Sequence, residues 1–190
     1  MAVLRIPERD FQINESAQIK SYLASIGIDY EVWPVLDLQY NMDNESILAA
    51  YSDKIEEAKA KGGYTNVDLV NVNRLTPGLD EMLAKFNREH WHDEDEVRFT
   101  VGGSGIFHIH PVHGPVVAIQ VEPGDMIRVP RGTHHWFELC STKEIKAIRF
   151  FQDKSGWTPH YTGSNVAQDY EPVCLGPQYI PCRSPNHPPR

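Results

Sequence analysis

After Arg88 the apolar residues of this 190-residue chain recur at every second position rather than every third or fourth. Val97–Val101, Ile106–His110, Val116–Val121, Met126–Val129, His135–Leu139 and Ile145–Phe151 each alternate in this way. Turn-forming residues separate them: Gly102-Gly103, Pro111 to Pro115, Pro123-Gly124-Asp125 and Arg131-Gly132. On a strand, side chains two apart share a face, and strands this short bury that face only by packing on one another. Several of them at such spacing predict an all-β sandwich or barrel.

The first 86 residues read as α/β decoration on that barrel. Asn14 is placed to cap a helix from Glu15 to about Ser25, with Gly27 near its end. Glu31 to Leu38 alternates like a strand that Pro34 would confine to an edge. Ser46 to Lys61 predicts one helix with Ile47, Tyr51, Ile55 and Ala58 on its apolar side, stopped by Gly62-Gly63. Tyr64 to Val72 reads as a strand and Pro77 to Phe86 as a short helix. Residues 171–190 hold six of the 14 prolines and read as an extended tail.

Composition narrows the function. A net charge of −8 opposes binding to nucleic acid or anionic lipid, both of which call for a basic face. The longest apolar run, Ile47 to Tyr51, is far short of the roughly 20 residues of a membrane span. No secretory h-region follows the charged start MAVLRIPERDF. Three cysteines lack metal-type spacing; Cys174 and Cys182 are free to pair, but nothing requires it, so a reducing cytoplasm is the expected compartment. No heptad or long edge strand asks for a second copy, so a monomer is expected.

Seven of the nine histidines fall between His90 and His135. In the run His90-Trp91-His92-Asp93-Glu94-Asp95-Glu96-Val97-Arg98, His90 and His92 can offer both imidazoles to one ion, and Glu96 and Arg98 share their parity. The competing reading is a solvated acidic loop with two surface histidines. His108, His110 and His113 form a second histidine group without a carboxylate at matching spacing. Arg149 interrupts the apolar positions Ile145, Ala147 and Phe151. Arg98 and Arg149 are candidate catalytic residues, because two inward guanidinium groups would make a cavity that expects an anion; a surface ion pair is the alternative for each.

Two segments carry a resemblance. His-x-His-x3-Glu-x6-Gly from His90 to Gly103, then Gly-x5-Pro-x-Gly-x2-His from Gly124 to His135, resemble the paired motifs of the cupin superfamily. Ala84 stands where the first motif opens with glycine, and Leu139 where the second ends with asparagine; neither is a ligand position. The resemblance implies a mainly β double-stranded β-helix, a jelly-roll-like barrel, holding one metal on His90, His92, Glu96 and His135. His134 would then face away. On that basis residues 1–170 form one cupin domain, with the metal-binding barrel at 87–165. Three imidazoles and a carboxylate suit Fe, Ni, Co, Mn or Zn and leave two positions of an octahedral ion open.

Within the cupins, EHWHDEDEVRFTVGGSGIF, GDMIRVPRGTHHWF, AIRFF and GWTPHYTG closely resemble the acireductone dioxygenase family. The resemblance implies a small-molecule enediol substrate, O2, and one Fe(2+) or Ni(2+) per chain, in methionine salvage. It also implies that Glu89 and Asp95 assist metal incorporation or relay local changes. Phe86, Trp136 and Phe137 become candidates for the wall that receives the methylthio tail. Other readings of the same fold are a dioxygenase for another enediol or catechol-like chelator, an isomerase, or a metal-stabilised cupin that binds a small anion.

Overall fold

A computed structural model describes residues 2–39, 42–153 and 157–170. The predicted proline-rich tail, with Cys174, Cys182 and His187, lies outside these residues. Cys140 is buried.

Two antiparallel sheets face each other. One has seven strands in the order β12 (His160–Tyr161), β5 (His90–Trp91), β10 (His134–Leu139), β7 (Gly105–His110), β8 (Val117–Val121), β1 (Val3–Ile6) and β2 (Phe11–Ile13). The other runs β3 (Asp29–Val32), β9 (Asp125–Val129), β6 (Glu96–Gly103), β11 (Ile145–Phe151) and β4 (Asn66–Val72). The mainly β expectation holds, and the six alternating runs become β6 to β11. The first 86 residues are more than decoration, since β1 to β4 belong to the two sheets.

The predicted helix at 46–61 is two helices, α2 (Asn44–Ala50) and α3 (Ser52–Gly62), divided at Tyr51. The Asp43 side chain caps α2 by accepting from the Ser46 N–H. The first helix, α1 (Ser16–Ser25), has Glu15 rather than Asn14 at its cap and no side-chain cap bond. The strand predicted to Leu38 stops at Val32, ahead of Pro34, and the predicted helix at 77–86 contracts to α4 (Leu79–Leu83).

Alternation divides the apolar residues between two layers. Phe107, Ile109, Val117, Ile119, Ile127, Val129, Phe137 and Ala147 fill the space between the sheets. Val97, Phe99, Ile148 and Phe150 point out of the five-stranded sheet against Trp33, Ile47, Tyr51 and Ile55. That sheet is covered on both faces, which is why β11 carries apolar residues at both parities and β6 buries residues of both, Glu96, Arg98 and Thr100 on one side and Val97 and Phe99 on the other. From β4 to β12 the chain changes sheet at every step except β7 to β8. Gly103, at φ +69°, makes one crossing: a Cβ there would lie 2.1 Å from the Glu144 carbonyl oxygen.

On the outward face of the seven-stranded sheet, burial shifts His108 and Glu138 in opposite senses. His108 is 2% exposed, stacks on Trp136 with centroids 4.8 Å apart, and burial lowers it to about 4. Burial likewise raises Glu138 to about 7. Between pH 6.5 and about 4 the unfolded chain takes up a proton that folded His108 refuses, so this contribution rises with pH. Glu138 acts oppositely: folded, it keeps a proton that the unfolded chain has released, so its contribution falls as pH rises toward 7. Denaturant titrations of metal-free protein are expected to show a steeper rise with pH in Glu138→Gln than in the parent. His108→Gln removes up to about 3 kcal/mol of that rise, while His90, also held near about 4 by burial, retains its share.

Candidate metal centre

His90 comes from β5, and the chain then leaves the seven-stranded sheet. His92 sits in the crossing and Glu96 opens β6 in the facing sheet. The two-residue phasing therefore does not run along one strand; a crossing delivers the histidines and the glutamate from opposite sides. His135 lies directly across from His90 in the β5–β10 pair. The second crossing, from β9 into β10, is tied to the first, because the Gly132 N–H donates to the His92 carbonyl at 2.9 Å. Asp95 braces the same junction, accepting from Arg128 Nε at 2.8 Å and from the Arg131 N–H at 3.0 Å.

His90, His92, Glu96 and His135 are each at most 2% exposed, and their ligand atoms all lie within 4.8 Å of one another. Each imidazole Nδ1 faces a backbone carbonyl: Arg88 at 2.7 Å for His90, Thr158 at 2.9 Å for His92 and Thr133 at 2.8 Å for His135. A carbonyl only accepts, so Nδ1 carries the proton and Nε2 of each neutral ring keeps its lone pair. His92 Nε2 is 3.1 Å and His135 Nε2 3.0 Å from the same Glu96 oxygen. Adjacent ligands about 2.1 Å from an octahedral ion would be separated by about 3.0 Å. His90 Nε2 and His92 Nε2 are buried without a hydrogen-bond partner. A divalent cation fits this donor set: it would use those lone pairs and compensate the carboxylate.

Burial alone would raise the Glu96 carboxyl. The Arg98 guanidinium outweighs it and holds the group well below the usual carboxylate range. Arg98, 7% exposed, reaches Glu96 with Nη2 at 2.7 Å and lies over Phe137 at 4.6 Å, Trp157 at 5.1 Å and Phe107 at 5.3 Å. Arg149 is its direct cross-strand neighbour. It is not an unpaired inward cation, however. Its Nε and Nη2 hold Asp68 at 2.8 and 2.6 Å, and its side chain remains 26% exposed.

The remaining candidates divide. Phe137 lies under Arg98 on the inner face, and the half-buried Phe86 ring is 5.9 Å from His90. Trp136 corrects the expected wall: it has the opposite parity to His135 and stacks on His108 behind the sheet. Glu89 also faces away from the ion site, accepting from Thr162 Oγ1 and pairing with His110. Trp157 went unnoticed as a site residue, although it lies between both guanidinium groups and 6.2 Å from the His92 ring. Its only signal was its place in GWTPHYTG. The three carbonyl acceptors leave no trace in residue type.

Comparison with known proteins agrees with this geometry. The family model described as the ARD/ARD' family matches residues 6–159. An acireductone dioxygenase of Picosynechococcus sp. is 40% identical over 176 residues, covering 92% of this chain and all of that protein. Another, from Sulfurihydrogenibium sp., is 42% identical, covering 82% of this chain and 91% of its own length. A solved structure, acireductone dioxygenase from Bacillus anthracis with a cadmium ion in its active centre, superposes with a TM-score of 0.79 at 36% identity, covering 85% of this chain and 98% of that one. With a cupin barrel, an inward His3Glu cluster and relatives matched nearly end to end, the chain belongs to the acireductone dioxygenase (ARD/ARD') family.

Proposed function

We propose that the chain cleaves acireductone, 1,2-dihydroxy-5-(methylthio)pent-1-en-3-one, with O2 in the methionine salvage pathway of the cytoplasm. With Fe(II) the products are 4-methylthio-2-oxobutanoate and formate; with Ni(II) they are 3-methylthiopropanoate, formate and carbon monoxide. It acts as a monomer with one catalytic ion per chain, held by His90, His92, Glu96 and His135. The observation that carries this reading is three imidazoles locked by their Nδ1 protons so that Nε2 lone pairs converge beside one buried carboxylate.

A divalent ion in this site supplies Lewis acidity and a template for a chelating enediol. The protein contributes charge and shape. Arg98 places a buried guanidinium beside Glu96, where it favours the deprotonated, electron-rich form of an enediol. Arg149 adds positive potential from across the strand pair, weakened by Asp68. Phe137 and Phe86 offer apolar surface to the methylthio tail. Asp95 holds the two crossings in register and thereby supports the ligands at both ends.

The test is O2 uptake by metal-free protein reconstituted separately with Fe(II) and Ni(II), given anaerobically prepared acireductone. Turnover above the spontaneous rate is expected, with 2-oxo acid from the iron form and carbon monoxide from the nickel form. Stoichiometric metal without turnover would defeat the substrate assignment and direct attention to other enediols or catechol-like chelators.

A further inference from the structure

Among the described residues a second cluster of metal-type ligands exists, behind the first. Glu89, His110 and His134 bring their ligand atoms within 4.8 Å of one another. Strand alternation explains the pairing of the two clusters. His135 is registered with His90 on one side and Ile109 on the other, and His134 with His110. Neighbouring residues of a strand face opposite ways, so Glu89-His90 and His134-His135 each send one side chain inward and one outward. His108, His110 and His113 do not assemble with one another: His108 is buried against Trp136, and His113 is exposed in the turn after β7. His110 instead finds the carboxylate that its own segment lacks.

We infer that Glu89, His110 and His134 form a second site for a divalent first-row metal ion, separate from the catalytic centre. Two imidazoles and one carboxylate are a donor set suited to nickel, zinc, cobalt or copper, and three protein ligands leave positions for water. The carboxylate is positioned for the role. Glu89 is 3% exposed, and Thr162 Oγ1 donates to its Oε2 at 2.6 Å. Its Oε1 lies 2.5 Å from His110 Nδ1. The outer partner fixes one oxygen and leaves the other toward the imidazoles, the arrangement by which ligating carboxylates are oriented. His134 is exposed and His110 partly so, which gives an ion a path in from solvent.

The rival account is a plain His110–Glu89 hydrogen bond with His134 merely nearby. Nickel(II) alone distinguishes the two. Full-length protein equilibrated with excess nickel and counted by elemental analysis after dialysis against a fixed free concentration is expected to hold two equivalents. His134→Ala, which alters only an exposed side chain, should hold one, as should His110→Gln. His135→Ala should also hold one, and that remaining equivalent should vanish in the His134→Ala/His135→Ala double variant. A single equivalent in the parent protein would overturn the inference. So would a second equivalent that survives both His134→Ala and His110→Gln, since it would belong to other residues. These outcomes do not depend on which substrate the inner centre turns over.

Discussion

His135→Ala is expected to cost the protein its catalytic ion and to reduce oxygen uptake to the uncatalysed rate. His135 supplies one of the four converging candidate ligand atoms, and its Nδ1–H is held by the Thr133 carbonyl, so no neighbouring rotation replaces it. His134, the adjacent residue, faces the other side of the sheet and cannot substitute without a register change. Losing an outer partner of a ligand typically weakens metal affinity by about 10–100-fold, and losing a ligand should exceed that. Asp95→Asn provides the graded comparison: it keeps all four cluster residues, loosens the brace between the crossings, and should weaken metal binding by less than His135→Ala does. Metal content and oxygen uptake check both. Full stoichiometry and full turnover in His135→Ala would place the centre elsewhere.

Arg98→Met should have the second largest effect, and its cost should depend on whether metal is bound. In the metal-free protein, Arg98 is the guanidinium that compensates the buried Glu96 carboxylate. Removing one partner of such a pair costs about 3–5 kcal/mol, because the other charge is left buried. A bound cation performs the same compensation, so denaturant titrations should show a smaller loss in the metal-loaded form. Catalysis should respond independently. A missing donor beside developing negative charge lowers turnover by about 10²–10³-fold. Arg149→Met is expected to be milder on both counts, since that guanidinium is committed to Asp68 and part of it meets solvent. Equal losses in the two arginine variants would show that Arg98 has no special position.

The comparison of sequence with structure is uneven for physical reasons. Period-two alternation marked β6 to β11 because one face of each strand is buried, and a buried face leaves a pattern. β1 and β2 escaped because they are only four and three residues long, too brief to establish a period. The four residues of the inner cluster were legible from motif spacing, although the reason they meet was not. His92 and Glu96 converge through a change of sheet, which a parity argument along one strand does not contain. Trp136 was misplaced for the complementary reason: its parity relative to His135 already sent it outward, and its aromatic character drew it into the pocket argument. The Glu89–His110–His134 cluster depends on cross-strand register over three strands, information that local spacing does not hold.

The pairing of β5, β10 and β7 also bears on how this chain can change over generations. His90, His135 and Ile109 line up across three strands, one step from His134 and His110. Substitution alters one side chain and leaves its neighbours facing as before. Gain or loss of a single residue within any of these strands turns everything beyond it to the other side of the sheet. In β10 such a change would present His134 to the interior and send His135 to the solvent side. Length variation is therefore confined to the turns, and within these strands the chain can be rewritten letter by letter but not respaced.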